Sequence, residues 1–275
     1  MRKRLCLIFA AVLLLAMTAC GETVPEQTVP ETTETTAVPE TTEVTVPVID
    51  TPQALMAALA TGGVVDLEAD VTMAESPVVL GGEFRGGGHI ITGPVYVEGD
   101  VNTENGLTVM AGIVRDVTIV DAYRGIGDSA AYPRYDDVRL YNVTVEGGDG
   151  YALNFGYGKS DDKLIAEGCK FYGWSSYTGL SEAVFVDCTF GWDKAGISGN
   201  LRPYINTTLT NCYFEGKTDE NGNTVPFNIH FKSGSSGITL TLENCYVGET
   251  LITEENVNEL LSVGLEGNRI LIFND

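Results

Sequence analysis

Six stretches of the chain carry one pattern of apolar and polar positions: GIVRDVTIVDA from Gly112, VRLYNVTVEGG from Val138, LIAEGCKFYGW from Leu164, AVFVDCTFGW from Ala183, TTLTNCYFEG from Thr207 and LTLENCYVGE from Leu240. They align on Val117, Val143, Cys169, Cys188, Cys212 and Cys245. The residue three before is then Val114, Leu140, Ala166, Phe185, Leu209 or Leu242, and the residue two after is Ile119, Val145, Phe171, Phe190, Phe214 or Val247. All eighteen positions are apolar. Just before the anchor stands Asp116, Asn142, Gly168, Asp187, Asn211 or Asn244, the residue types that enter the left-handed region at least cost. The pattern predicts two short strands meeting at a tight bend, their inner faces turned to one core. Anchors lie 26, 26, 19, 24 and 33 residues apart. A unit of that period cannot bury its apolar face alone, so the units must stack as a solenoid.

The flanks fit such a rod. Thr51-Pro52 followed by QALMAALATGG predicts a short helix with an N-cap, a proline in its first turn and glycines at its end. It would plug one end, where a solenoid exposes core and an unpaired strand edge. VVDLEADVTM from Val64 alternates as a strand, and a helix from Thr253 to about Leu261 with Thr253 as N-cap precedes a last strand over Asn268 to Phe273. Between anchors, AYRGIGDSAAYPRYDD, GDGYALNFGYGKSDD and GKTDENGNTVPFNIHFKSGSSG read as projecting loops, the usual carriers of binding groups. Within the last, Asp219-Glu220-Asn221-Gly222-Asn223 reads as a hairpin-like turn, with calcium ligation the other reading.

The run GGGHIITG, placed after a capping helix and before N-C-x-F units, resembles the first coil of right-handed parallel β-helix proteins of the pectate-lyase-like superfamily, over most of Thr51 to about Gly248. That resemblance implies an all-β fold, a single-stranded right-handed parallel β-helix with short capping helices and three short parallel strands per coil. It also implies that Asn142, Asn211 and Asn244 form an asparagine-ladder-like bend, their amides bonding along the stack. Function does not follow, because the fold carries lyases, hydrolases, tailspikes and adhesins alike.

Compartment comes from the first fifty residues. Arg2, Lys3 and Arg4 precede an apolar run from Leu5 to Ala16, the length of an export signal. The following Met17-Thr18-Ala19-Cys20-Gly21 resembles a bacterial lipobox with methionine in place of the usual leucine, which implies lipidation of Cys20; a plain cleaved leader is the alternative. Residues 20–50 are rich in Thr, Pro and Glu without aromatics, which predicts an extended tether. The expected organisation is a leader over 1–19, a lipidated tether over 20–50 and one domain over 51–275. The lipid on Cys20 would make the membrane one partner and the bacterial cell surface the location. Removing the leader's three basic residues takes the formal charge from −22 to −25, and the tether's seven acids leave −18 on the domain. Such a surface repels nucleic acid. An acidic polysaccharide would need bridging cations, and a monomer is expected.

Cys169, Cys188, Cys212 and Cys245 share one position in successive units. In-register stacking turns them into a row of small buried thiols, in preference to disulfides or a zinc site.

Two sets of residues bear on function. Glu104, Asp136, Asp137 and Arg139 are candidates for polysaccharide lyase or hydrolase chemistry, with Arg134 a second candidate base and Asp161 and Asp162 joining a calcium cluster. Their offsets from the anchors are irregular, so the leading expectation is a non-catalytic module without an obligatory cofactor, calcium being the one to test. Trp174 and Trp192 lie five and four residues after their anchors, which predicts two indoles beyond the same strand. With Tyr172, Tyr177 and Tyr213 they would form a platform for sugar rings. Stacking between coils with no ligand is the competing reading.

Overall fold

A computed structural model of the chain describes residues 48–94, 105–132, 136–157, 161–193, 200–231, 235–264 and 267–274, with backbone alone for 147–149. The expected leader, nearly all of the expected tether and Cys20 lie outside them. Among the described residues the chain winds through three parallel sheets, one strand per sheet per turn.

The first sheet contains Val64–Asp66, Glu83–Arg85, Gly112–Arg115, Val138–Tyr141, Lys163–Glu167, Glu182–Val186, Asn206–Thr210, Thr239–Glu243 and Arg269–Phe273, in that spatial order. Sequence order equals spatial order, as a solenoid requires. The second sheet begins just past each bend, with strands such as Thr118–Val120, Thr189–Gly191 and Tyr213–Phe214. The third runs through Arg124–Gly127, Asn200–Pro203, Phe227–His230 and Leu261–Gly264. Thr144–Phe155 and Lys170–Tyr177 turn the corner and serve the second and third sheets in succession. The protein is thus an all-β parallel β-helix.

The repeat reading carries over residue by residue. Val114, Leu140, Ala166, Phe185, Leu209 and Leu242 pair in register along the first sheet, and Ile119, Val145, Phe171, Phe190, Phe214 and Val247 along the second. All eighteen apolar positions are buried. Phe190 stacks on Phe214 at 5.7 Å between ring centroids and lies 5.7 Å from Phe171, so aromatic rows fill the interior.

Each bend residue has a positive φ: 54° at Asp116, 52° at Asn142, 64° at Gly168, 52° at Asp187, 52° at Asn211 and 51° at Asn244. The backbone explains why the bend repeats. In every case the bend amide donates to the last carbonyl of the first-sheet strand in the next coil, as Asn142 N to Glu167 O at 2.9 Å and Asn211 N to Glu243 O at 2.8 Å. Asn142 Nδ2 donates to Asp116 Oδ1 at 3.1 Å, a rung of the amide ladder; Gly168, next in the row, has no side chain to extend it.

The four anchor cysteines are buried and free. Each Sγ lies 3.3 to 3.5 Å from two carbonyl oxygens, Cys212 facing those of Phe185 and Thr210. A thiol can donate to a carbonyl and a thiolate cannot, so the row is neutral. Burial pushes the Cys212 thiol well above its ordinary range, and the neighbouring Cys188 thiol together with burial does the same to Cys169.

The N-terminal cap is helix α1, Pro52–Thr61, with Thr51 Oγ1 accepting from Ala54 N at 3.2 Å and Leu55 and Leu59 buried. Ile49, expected in the tether, is buried, and its carbonyl accepts from Glu68 N at 2.9 Å. At the other end, helix α2 covers only Val257–Leu260. Thr253 does not start it, because the Asn256 side chain ties Thr253 N and Leu251 O into a turn first. VVDLEADVTM is likewise two strands, Val64–Asp66 and Val71–Thr72, rather than one. In GGGHIITG, a Cβ added at Gly86 would meet Val117 Cβ at 2.4 Å, so this position admits no side chain where the second coil passes the third. His89 holds Asp70 at 3.3 Å, and His230 ends a strand facing out. Asp219 to Asn223 closes a hairpin between Lys217–Thr218 and Thr224–Val225, both Asp219 oxygens taken by Asn221 and Asn223.

Candidate ligand-binding site

The sequence-predicted platform does not assemble. Tyr177 has no exposed surface; it packs 5.4 Å from Phe185, and its hydroxyl accepts from Thr207 Oγ1 at 3.3 Å. Its side chain alternates inward with Ser175, and burial raises its phenol above the ordinary range. It belongs to the core.

The two tryptophans are also apart in kind. Counting from the anchors holds only as far as Tyr172, which pairs with Gly191. Beyond it Gly173, at φ 118°, bends the strand into the third sheet, where Trp174 pairs with Asn200. Trp192 instead lies just past the end of its second-sheet strand. Its backbone N–H and Nε1 donate to Glu215 Oε2 and O, both at 3.0 Å, its ring packs against Phe227 at 5.7 Å, and Lys217 Nζ lies 4.7 Å over it. Tyr172 covers Gly191, where a Cβ would meet the ring at 2.4 Å; desolvation, then Glu215 and Glu146, raise its phenol. Tyr213 is 48% exposed but its face is taken by Tyr246, 5.2 Å away and tilted by 14°. These contacts hold coils together.

Trp174 has different company. Along the third sheet Arg124, Tyr151 and Trp174 pair in register, so the three stand side by side across neighbouring coils. Tyr151 meets Trp174 edge to face at 5.2 Å and Tyr123 at 6.3 Å. Arg202, from the next coil, lays its guanidinium 4.0 Å above the indole and reaches the Tyr151 hydroxyl with Nη1 at 3.5 Å. Three buried N–H donors here, Arg124 Nε, Trp174 Nε1 and Arg202 Nε, have no hydrogen-bond partner. Of the residues that make this corner, Trp174 alone was singled out in the sequence. Tyr123 and Arg124, Tyr151, and Phe227 to His230 fall in stretches expected to project as loops, yet most of them are third-sheet strand. The available signal was alternation, since Ile126, Leu153 and Leu201 point into the core between them.

The carboxylate candidates are tied into the scaffold. Asp137 Oδ2 accepts from Arg139 Nη2 at 3.1 Å and Oδ1 from Lys163 N at 3.0 Å, while Asp136 Oδ1 accepts from Asp137 N at 2.7 Å. Asp162 O takes the Ser181 N–H and hydroxyl. Glu104 and Arg134 lie outside the described residues. In comparisons with known proteins, no family model, no curated protein and no solved structure matches the chain.

Proposed function

We propose that this chain is a lipoprotein of the pectate-lyase-like superfamily, tethered through Cys20 to the bacterial cell surface, whose β-helix is a non-catalytic module that binds glycan or another surface ligand. The observation that carries the reading is the corner formed by Tyr123, Tyr151, Trp174 and Arg202, where aromatic surface and unpartnered donors occur together. Buried donors without partners are uncommon in native proteins and point to a missing acceptor. Aromatic edges beside them supply the apolar contact that a sugar ring uses.

The test incubates the protein with uronic-acid and neutral polysaccharides, with and without calcium, and follows binding, reducing ends and unsaturated product. Binding without turnover, lost in Trp174→Ala, is the expected result. Turnover abolished by Asp136→Asn or Arg139→Gln would replace the reading with a polysaccharide lyase or hydrolase.

A further inference from the structure

We infer that the C-terminal end of the first sheet is a docking edge for an extended peptide segment of another polypeptide, one that alternates apolar with basic residues and adds to Arg269–Phe273 as a further strand. This goes beyond the glycan-binding reading and uses a surface other than the Trp174 corner.

Arg269–Phe273 is the last strand in the spatial order of the first sheet, and among the described residues it pairs with Thr239–Glu243 alone. In a parallel ladder the N–H and C=O of one residue point to the same neighbour, and successive residues point to opposite neighbours. Arg269 N donates to Ile238 O at 3.0 Å and Phe273 O accepts from Asn244 N at 2.9 Å, so Arg269, Leu271 and Phe273 face the preceding coil. The N–H and C=O of Ile270 and Ile272 therefore face outward, without partners among the described residues. The same gap shows in the side chains. Leu240 and Leu242, one coil earlier in the same columns, are buried, whereas Ile270 and Ile272 are only half-buried because no later coil covers them.

Elsewhere this end is closed by the chain itself. In the second sheet Thr250–Leu251 folds back antiparallel on Tyr246–Val247, and Ile252 is fully buried. Helix α2 leaves a groove of about 400 Å³ against the last first-sheet strand, lined by Val257, Val263, Ile270 and Ile272 together with Glu254 and Asn258. An unpaired edge is a template for another strand. Added there, an extended peptide takes its hydrogen bonds from the backbone of Ile270 and Ile272 and lays every second side chain on the apolar lining.

Charge selects the occupant. Glu254 lines the groove, and Glu255 and Glu259 lie exposed next to lining residues. A hydrogen bond from Thr253 holds the Glu255 carboxyl below its usual range, so it is charged at neutral pH. Arg269 turns its Nε to Thr239 Oγ1 at 2.8 Å. Basic residues on the incoming strand match this surroundings of carboxylates. A second copy would bring more negative charge, since the chain carries −22, and α1 plugs its N-terminal end.

The experiment uses the full chain carrying Cys20→Ser, so that no lipid is attached, and measures the binding of labelled peptides by fluorescence anisotropy. The probes are short synthetic peptides: alternating Lys and Val, alternating Glu and Val, Lys and Val in two blocks, and the alternating Lys/Val peptide with all its backbone nitrogens methylated. The first should bind about tenfold or more tightly than each of the others, and raised salt should weaken it. Ile272→Pro removes an outward N–H and no bond of the ladder, so the variant should stay folded by circular dichroism and lose about tenfold in affinity for the Lys/Val peptide. Glu254→Lys combined with Glu255→Lys should lose about fivefold. Equal binding of the block or the methylated peptide would show that no strand is added and would overturn the inference, as would Lys/Val binding untouched by Ile272→Pro. Equal binding of the Glu/Val peptide would overturn the basic occupant. Sedimentation of the chain alone showing a dimer that Ile272→Pro dissolves would assign the edge to a second copy instead. Binding of none of the peptides overturns the inference and leaves the glycan reading as it stands.

Discussion

The two tryptophans differ in what surrounds them, and the difference separates scaffold from site. Both N–H donors of Trp192 are satisfied: its backbone N–H and Nε1 reach Glu215, and its ring packs against Phe227 and Lys217. Trp174 keeps an unpartnered buried Nε1 among neighbours that are themselves short of acceptors. One indole completes the fold, whereas the other is held by the fold with its bonding unfinished. A flat aromatic count in the sequence cannot tell these apart; the donor inventory can.

The largest effect expected from this contrast is on stability. Trp192→Ala should cost about 3 kcal/mol, the usual range for deleting a packed aromatic, seen as a lower midpoint in urea unfolding. Ligand affinity per folded molecule should not change. Trp174→Ala should cost about 1 to 2 kcal/mol, the worth of one aromatic pair and one cation–π contact, and should abolish binding. If both variants lose binding in proportion to stability, the two indoles do not differ in role.

A second test addresses the scaffold through pH. The folded values of Cys169 and Cys212 are raised, so the unfolded chain ionises first. Their contribution is whole below the unfolded value near 8.5 and is lost as pH rises above it, by up to about 1.4 kcal/mol per pH unit for each thiol. Urea midpoints at pH 8 to 10 should therefore fall with pH, and Cys212→Val should flatten the slope by one thiol's share. A slope unchanged in that variant would contradict the neutral row.

The smallest expected effect is at a bend. Asn211→Ala places an unfavourable side chain at φ 52° and should cost about 1 kcal/mol, with Asn211→Gly nearly neutral by the same urea measurement. Neither should alter binding at Trp174. A binding change from Asn211 would mean that scaffold and corner are coupled.

The scaffold was readable because its chemistry is local and repeated. Six bends of Asn, Asp or Gly each needed a left-handed residue, and eighteen apolar positions each needed an interior, so the pattern recurs wherever a coil does. The corner was not readable for the opposite reason. Arg124, Tyr151, Trp174 and Arg202 come from four coils at unequal distances from their anchors, and only the strand register brings them together. Gly173 shifts Trp174 off the anchor count. Tyr177 misled because a hydroxyl suggests a surface, while its alternation with Ser175 along Lys170–Tyr177 directs it inward.

The chain contains only two tryptophans, which makes the central claim directly measurable. Trp192→Phe leaves Trp174 as the single indole reporter, and Trp174→Phe leaves Trp192. Titrated with whichever of the uronic-acid and neutral polysaccharides binds, the first protein should show a saturable change in tryptophan emission and the second none. A saturable signal from Trp192 with none from Trp174 would contradict the account.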